Sequence, residues 1–213
     1  MTKIVVFDAQ GPVYLMTTKE DNVISIKDTK QLKIKIYPSF YEDFDDYFAL
    51  STKRMMVVEE ELILGKNISV TCNPGIIEFF AKLRKEEIKP IIVTFGTKKA
   101  TIREMEIVAD KYNKENNTNL TGEDIIPIKD IHSVIDNNLT KANAEDWKKI
   151  VNDNYENPEV LAVFEDTFDW LKVATKAFDC KGFLVVDEGE CVKKENHYEG
   201  NLKKMSEKFF DII

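Results

Sequence analysis

A chain of 213 residues has room for one α/β core with a small insertion, and it is long enough to bury a substantial interior. Its formal net charge of −8 sets it against nucleic acid, which would be repelled over most of the surface. Three cysteines without metal-ligand spacing and only two histidines, His132 and His197, leave little for a disulfide framework, a zinc site or histidine-based catalysis.

The chain opens on Ile4 to Phe7, an unbroken apolar run of the kind that forms a strand buried on both faces of a parallel sheet. A start directly in a strand, with no apolar run of membrane length, predicts a cytoplasmic protein that does not meet a membrane. The run stops at Asp8, and Gly11-Pro12 breaks the backbone after it. Open α/β sheets hold their ligands at the carboxyl ends of such strands, so Asp8 is a candidate site residue. Taken alone it reads equally well as a loop cap.

From residue 13 to 72 the pattern loosens. Val23 to Ile26 and Leu32 to Tyr37 alternate like strands, joined by a turn over Lys27 to Lys30. Ser39 is placed to cap a helix carrying Phe40, Phe44, Tyr47 and Phe48 on one face, and a further helix runs from about Lys53 to Leu64. The aromatic stripe reads as the core of a small subdomain or a homodimer contact rather than a ligand box.

Core-like alternation returns at Asn73-Pro74, which predicts a helix start with Asn as its cap. Pro90 to Thr94 is a short buried strand ending in a hydroxyl, and Phe95-Gly96-Thr97 turns the chain into a helix marked by Ile102, Met105, Val108 and Tyr112. Ile125 to Ile128 is expected to be a third strand, and Thr140 to Asn154 a helix with Trp147 and Ile150 inward. Val160 to Phe164 is a fourth strand, ending in Glu165-Asp166, with a helix through Phe168, Leu171, Ala174 and Phe178 behind it. Phe183 to Val186 is a fifth, Glu188 to Glu199 a solvated loop, and Leu202 to Phe210 a closing helix. Short strands alternating with helices specify a doubly wound parallel sheet. Asp8, Thr94 and Glu165-Asp166 would converge on one edge of it, and clustered carboxylates without His or Cys suit Mg²⁺.

An apolar strand followed by Asp-x-x-Gly resembles the first motif of the haloacid dehalogenase-like (HAD) hydrolases, most of them magnesium-dependent phosphatases. The family's usual form is Asp-x-Asp-Gly, with a nucleophilic first Asp and a second that acts as general acid and base. Here Asp8 and Gly11 match, but Gln10 stands where the second acid belongs. Ile91 to Thr94 is similar to the second motif, which with Gly11 and the Phe95-Gly96 turn would bind the phosphoryl group. Lys141, with Lys148 as the weaker candidate, fits the motif lysine, and Glu165-Asp166 fits the acidic pair that holds magnesium. The resemblance thus implies Mg²⁺ on Asp8, the Gln10 carbonyl and Asp166, with Glu165 assisting through water. It also implies a Rossmann-like, HAD-like core from residues 1–12 and 73–213, with residues 13–72 inserted as a cap.

The function so implied is hydrolysis of a small phosphorylated metabolite through an aspartyl-phosphate on Asp8, slowed by Gln10. The alternative is a HAD-fold protein that binds a phosphorylated ligand or a protein partner without turnover. Cleavage of a carbon–halogen bond is a third reading, against which the Glu165-Asp166 pair argues.

Overall fold

The computed structural model describes residues 1–18, 20–29 and 68–213. The expected strand at Leu32 to Tyr37, the stripe of Phe40, Phe44, Tyr47 and Phe48, and the helix from about Lys53 to Leu64 lie outside these residues. In chain order the strands are β1 (Thr2–Phe7), β2 (Tyr14–Thr18), β3 (Ile68–Cys72), β4 (Lys89–Thr94), β5 (Ile131–Ser133), β6 (Pro158–Glu165), β7 (Lys181–Val185), β8 (Val192–Lys193) and β9 (Tyr198–Gly200). The helices are α1 (Ile76–Lys85), α2 (Lys98–Asn116), α3 (Gly122–Ile125), α4 (Ala144–Asn154), α5 (Phe168–Phe178) and α6 (Leu202–Ile212).

Seven of these strands form one sheet in the order β5-β4-β1-β6-β7-β9-β8, parallel except for the last pair. The apolar run of β1 explains its central place. Val5 and Phe7 point into one core with Phe80 of α1, Val108 of α2 and Phe209 of α6, while Ile4 and Val6 point into a second core with Trp147 of α4 and Leu171 of α5. Helices therefore cover both faces, as the sequence pattern predicts for a doubly wound sheet. The first core is dense in aromatic rings: Phe164 stacks on Phe7 at 4.7 Å and on Phe183 at 4.5 Å between centroids. Register places Phe7 beside Ile92 of β4 and Phe164 of β6, so the residues just past these three strands share one edge. Among the described residues no helix is long and apolar enough to cross a membrane.

Several elements differ from the sequence expectation. Ile125 to Ile128 is not a strand: Thr121 and Asp124 form a capping box that starts α3, and a 3₁₀ turn follows at Ile128–Asp130. The strand beside β4 is the three-residue β5 that comes next. Val23 to Ile26 is not a strand either. Val23 makes one bridge to Thr17, and a helical turn begins at Ile26 and includes Lys27 and Asp28, because Ser25 caps it by accepting from the Asp28 N–H. Asn73 does not cap α1, which follows Gly75; its amide instead donates to the Gly11 carbonyl at 2.6 Å. Helix α4 starts at Ala144 rather than Thr140, since Asn143 supplies the cap. The supposed loop from Glu188 to Glu199 contributes β8 and part of β9, which the stacking of Tyr198 on Phe183 draws into the sheet.

Strands β2 and β3 form a separate antiparallel ribbon, with Tyr14 opposite Cys72. Val13, Tyr14, Met16 and Val70 are buried in the same core as Val5 and Phe7, so the ribbon is seated on the main body next to Met105 and Val108 of α2.

The turn that leads from β1 into this ribbon requires glycine. Gly11 has φ +88°, and a Cβ there would lie 2.7 Å from the Cβ of Asp166. Gly11→Ala is expected to cost about 1–3 kcal/mol through backbone strain and overpacking combined. Urea unfolding of the two proteins measures this; an unchanged midpoint would mean that the turn and Asp166 part without cost.

Candidate active site

Asp8 still belongs to the β1–β6 ladder, since its N–H donates to the Phe164 carbonyl at 2.9 Å. That bond fixes the backbone and leaves the carboxylate beyond the sheet edge. Asp8 Oδ1 accepts from Lys141 Nζ at 2.6 Å, and the same ammonium donates to Glu165 Oε1 at 2.7 Å. Lys141 comes from the turn before α4 and is completely buried. A buried ammonium needs compensation on every side. Besides the two carboxylates it lies 5.4 Å from the ring centroid of Trp147 and 5.2 Å from that of Trp170, both within cation–π range. Trp147 also donates from Nε1 to the Lys141 carbonyl at 2.9 Å, which pins the lysine's backbone.

Glu165 ends β6 and is likewise inaccessible to solvent. Its Oε2 accepts the N–H groups of Asp166 at 2.8 Å and Thr167 at 3.0 Å, so both carboxylate oxygens have partners. Asp166 accepts from the Thr167 hydroxyl at 3.1 Å. Oxygens of Asp8, Glu165 and Asp166 lie within 4.8 Å of one another.

Burial pushes the Asp8 carboxyl above its ordinary value of 3.8, and Lys141 only partly offsets this. Burial raises Glu165 further, well above 4.5, again against the pull of Lys141. Burial works to lower Lys141, but Asp8 and Glu165 outweigh it and hold the ammonium above 10.5. Three carboxylates around one ammonium make a site that is short of positive charge. The donors are hard oxygens with no thiolate or imidazole among them, which is the ligand chemistry of Mg²⁺.

Thr94 stands at the end of the neighbouring β4. Its Oγ accepts from the Gly96 N–H at 3.0 Å, shaping the Phe95-Gly96 turn, and keeps the hydroxyl proton for donation. Gln10 occupies the turn after β1 and bridges to Tyr14. Of the two candidate lysines, Lys141 is brought to Asp8, whereas Lys148 is turned outward onto Glu145 at 3.0 Å. Asp8, Lys141, Glu165 and Asp166 are thus assembled, with Gly11 packed against Asp166 and Thr94 on the adjacent strand end.

Five contributors have no clear signal in the sequence. Asn73 has the composition of a helix cap, yet it fastens the Gly11 turn. Trp147 and Trp170 look like ordinary inward residues of amphipathic helices, yet they flank the lysine. Tyr14 and Glu104 form a buried pair behind the turn, and burial with the Glu104 carboxylate raises the Tyr14 hydroxyl well above 10.

No protein-family model and no curated protein sequence matches this chain. Solved structures do. CbbY from Rhodobacter sphaeroides, in complex with phosphate, is 10% identical with a TM-score of 0.55, over 96% of each chain. A dehalogenase in an intermediate complex is 11% identical with a TM-score of 0.57, over all of this chain and 97% of that one. The UTR4 protein of Saccharomyces cerevisiae is 14% identical with a TM-score of 0.53, over 93% of this chain and 97% of that one. Likeness at these identities is a statement about architecture: this chain has the HAD-like, Rossmann-type α/β fold.

Proposed function

We propose that the protein is a magnesium-dependent phosphohydrolase that acts on a small phosphorylated substrate through an aspartyl-phosphate on Asp8. The observation that carries this reading is the buried ammonium of Lys141 held between Asp8 and Glu165 beside Asp166, all at the carboxyl edge of the sheet. The metal would be held by Asp8, Asp166 and the carbonyl of Gln10, with Glu165 next to them, and when bound it supplies positive charge that draws phosphate oxygens to the site.

The chain's own groups divide the remaining work. Lys141 fixes the Asp8 carboxylate and stays charged, so one Asp8 oxygen is held while the other faces the incoming phosphorus. The oxygen attacks, the ester P–O bond breaks, and the leaving oxygen departs with the bonding electrons. Thr94 donates its hydroxyl proton to a phosphoryl oxygen as a hydrogen bond. Water then attacks phosphorus in the acyl phosphate, and the P–O bond to Asp8 breaks with its electrons returning to the carboxylate. The water's surplus proton passes to solvent, from which the departed anion takes one. Glu165, with both oxygens already partnered, keeps Lys141 in place. Residues 13–72 would act as a cap, entered through the β2–β3 ribbon, that selects the substrate and excludes water.

Gln10 favours a second reading, binding of a phosphorylated ligand without turnover. A carboxamide accepts and donates hydrogen bonds but exchanges no proton near neutral pH, so the leaving oxygen and the attacking water go without help.

Three outcomes test these assignments. Titration calorimetry with Mg²⁺ is expected to show binding by the wild type and its loss in Asp166→Ala; equal affinity would remove Asp166 from the metal set.

The second test is stability. Asp8 and Glu165 have folded values raised above 3.8 and 4.5, so the folded protein holds their protons longer than the unfolded chain does. By linkage their contribution to stability is greatest at low pH and is lost as pH rises through that window and above it. Asp8→Asn removes one of the crowded charges. Without metal the variant should melt a few degrees higher than the wild type at pH 8, with the gap shrinking at pH 5, and Mg²⁺ should stabilise the wild type more. A variant less stable at pH 8 would mean that the Asp8–Lys141 pair outweighs the crowding.

The third test is Gln10→Asp. Missing acid–base help typically costs about 10²–10⁴ in rate. Set against a typical turnover of roughly 10 s⁻¹, the wild type should work at about 0.1 to 0.001 s⁻¹. The substitution should raise turnover of an alkyl phosphate more than that of an aryl phosphate, and Asp8→Asn should abolish both. If neither protein hydrolyses any phosphate ester with Mg²⁺ present, the binding reading replaces the enzyme.

A further inference from the structure

The Lys141 ammonium reaches the carboxyl edge of the sheet, where water is normally close, and yet the residue is completely buried. Its two carboxylate partners balance its charge, and the rings beside it exclude water. Trp147 is 1% exposed and stands on the α4 side. Trp170, in the first turn of α5 and 5.2 Å from the ammonium, is only partly buried, so its indole is the part of this wall that meets solvent. Packing alone does not ask for a tryptophan there, since Leu171 and Ala174 carry the inward face of α5 into the second core.

The same indole has a second partner. Phe95 stacks on it with centroids 5.2 Å apart and planes 14° from parallel. Phe95 follows the last residue of β4, α5 follows β6, and in the sheet these two strands flank β1. The stacked pair therefore ties together the strand ends on either side of Asp8. Beyond Phe95 the turn is held by the Gly96 N–H, which donates to Thr94 Oγ at 3.0 Å. Glu165 fastens the start of α5 by accepting the N–H groups of Asp166 and Thr167. Trp170 stands where the lysine, the Thr94 turn and the helix start meet.

We propose that Trp170 is a positioning residue: its ring keeps water from the Lys141 ammonium and couples the lysine to the Phe95-Gly96 turn, so that both keep one geometry around Asp8. An ammonium over a ring face is held most strongly when it is desolvated. The pull of Lys141 on Asp8 weakens as water enters and the local dielectric rises. A stacked aromatic pair holds the two elements that carry it at a fixed separation. The phosphohydrolase reading supplies only the purpose of this unit, the holding of a phosphoryl group. The placement of the ring on the ammonium and on Phe95 stands without it.

The test reads Lys141 itself. Reductive methylation with formaldehyde and a borane, followed by peptide mass spectrometry, gives the rate at which each lysine of the folded protein is modified. Lys141 should be among the slowest in the wild type. Trp170→Leu should speed it about 5- to 30-fold, the loss of one desolvated cation–π contact expressed as a ratio. Trp170→Phe keeps a ring face and should recover most of the protection. Val173→Ala, which trims the same helix where it packs on the second core, should leave Lys141 within about twofold of the wild type. Phe95→Leu should speed Lys141 about 2- to 10-fold, the range of one aromatic pair. The double variant should be no faster than Trp170→Leu alone, because the stack acts through one indole. Unchanged protection in Trp170→Leu, an equal rise in Val173→Ala, or no recovery in Trp170→Phe would overturn the positioning role, and additive effects in the double variant would overturn the coupling to the turn.

Orthovanadate, a phosphate mimic, separates this inference from the reading on which its purpose rests. With Mg²⁺ present, its Kd by calorimetry should rise in Trp170→Leu and stay within about twofold of the wild type in Val173→Ala. Equal affinity in Trp170→Leu and the wild type would overturn the inference and leave the phosphohydrolase reading intact. If vanadate binds none of the proteins, the phosphohydrolase reading falls, and the labelling rates alone decide whether Trp170 holds Lys141.

Discussion

A fully buried ammonium is the constraint around which this molecule is arranged. Lys141 is desolvated against two carboxylates within hydrogen-bond range, and Asp8 and Glu165 provide them from the ends of adjacent strands. That requirement fixes the order of the central elements: β1 and β6 must be neighbours, in register, and must end at the same level. It also fixes the helices behind them, because Trp147 of α4 and Trp170 of α5 complete the lysine's surroundings. Site and core are therefore continuous. The second hydrophobic core ends in the two indoles that hold the lysine, and the lysine ends in the carboxylate that would attack phosphorus.

The arrangement carries a cost that the proposed function would explain. Asp8 and Glu165 are buried and raised, with Asp166 close by, and one ammonium does not balance three acids. A domain selected for stability alone would replace one of them with an amide or an apolar residue. Retaining all three is expected where a divalent cation and a phosphate share the site, since each supplies the charge the other lacks. The surrounding structure holds the excess in place: Gly11 is pressed against Asp166, Asn73 grips the Gly11 carbonyl, and Tyr14 closes the same turn by accepting the Gly11 N–H at 2.8 Å.

What the sequence reveals follows from how locally each feature is encoded. Strand β1 is legible because four consecutive apolar residues serve two cores at once. The strand-end acids and Thr94 are legible because parallel topology turns position along a strand into position in space. Strand β5 is not legible, because three residues carry no period and the preceding Ile125-Ile126 offers a stronger apolar signal that a capping box converts to helix. Strand β9 lies in a charged stretch and is held by its pairing with β7, a long-range fact. Asn73 shows the limit most plainly: Asn before Pro has the chemistry of a helix cap, but the same amide reaches Gly11 across 62 residues.

The ribbon of β2 and β3 bears on the weak acid–base apparatus that the proposed function would have. Tyr14 is tied to Glu104 of α2 at its side chain and to Ala9 and Gly11 at its backbone, so the turn that carries Gln10 is braced from both ends. A braced turn fixes the Gln10 backbone, and under the proposed function its carboxamide would hydrogen-bond to a leaving oxygen or an attacking water without exchanging a proton with either. Rigid placement lowers the entropic part of the barrier and leaves the proton-transfer part untouched. The chemistry that benefits is the kind in which the leaving group needs no proton. On that ground Gln10, under the proposed function, would restrict which phosphate bonds this site could break.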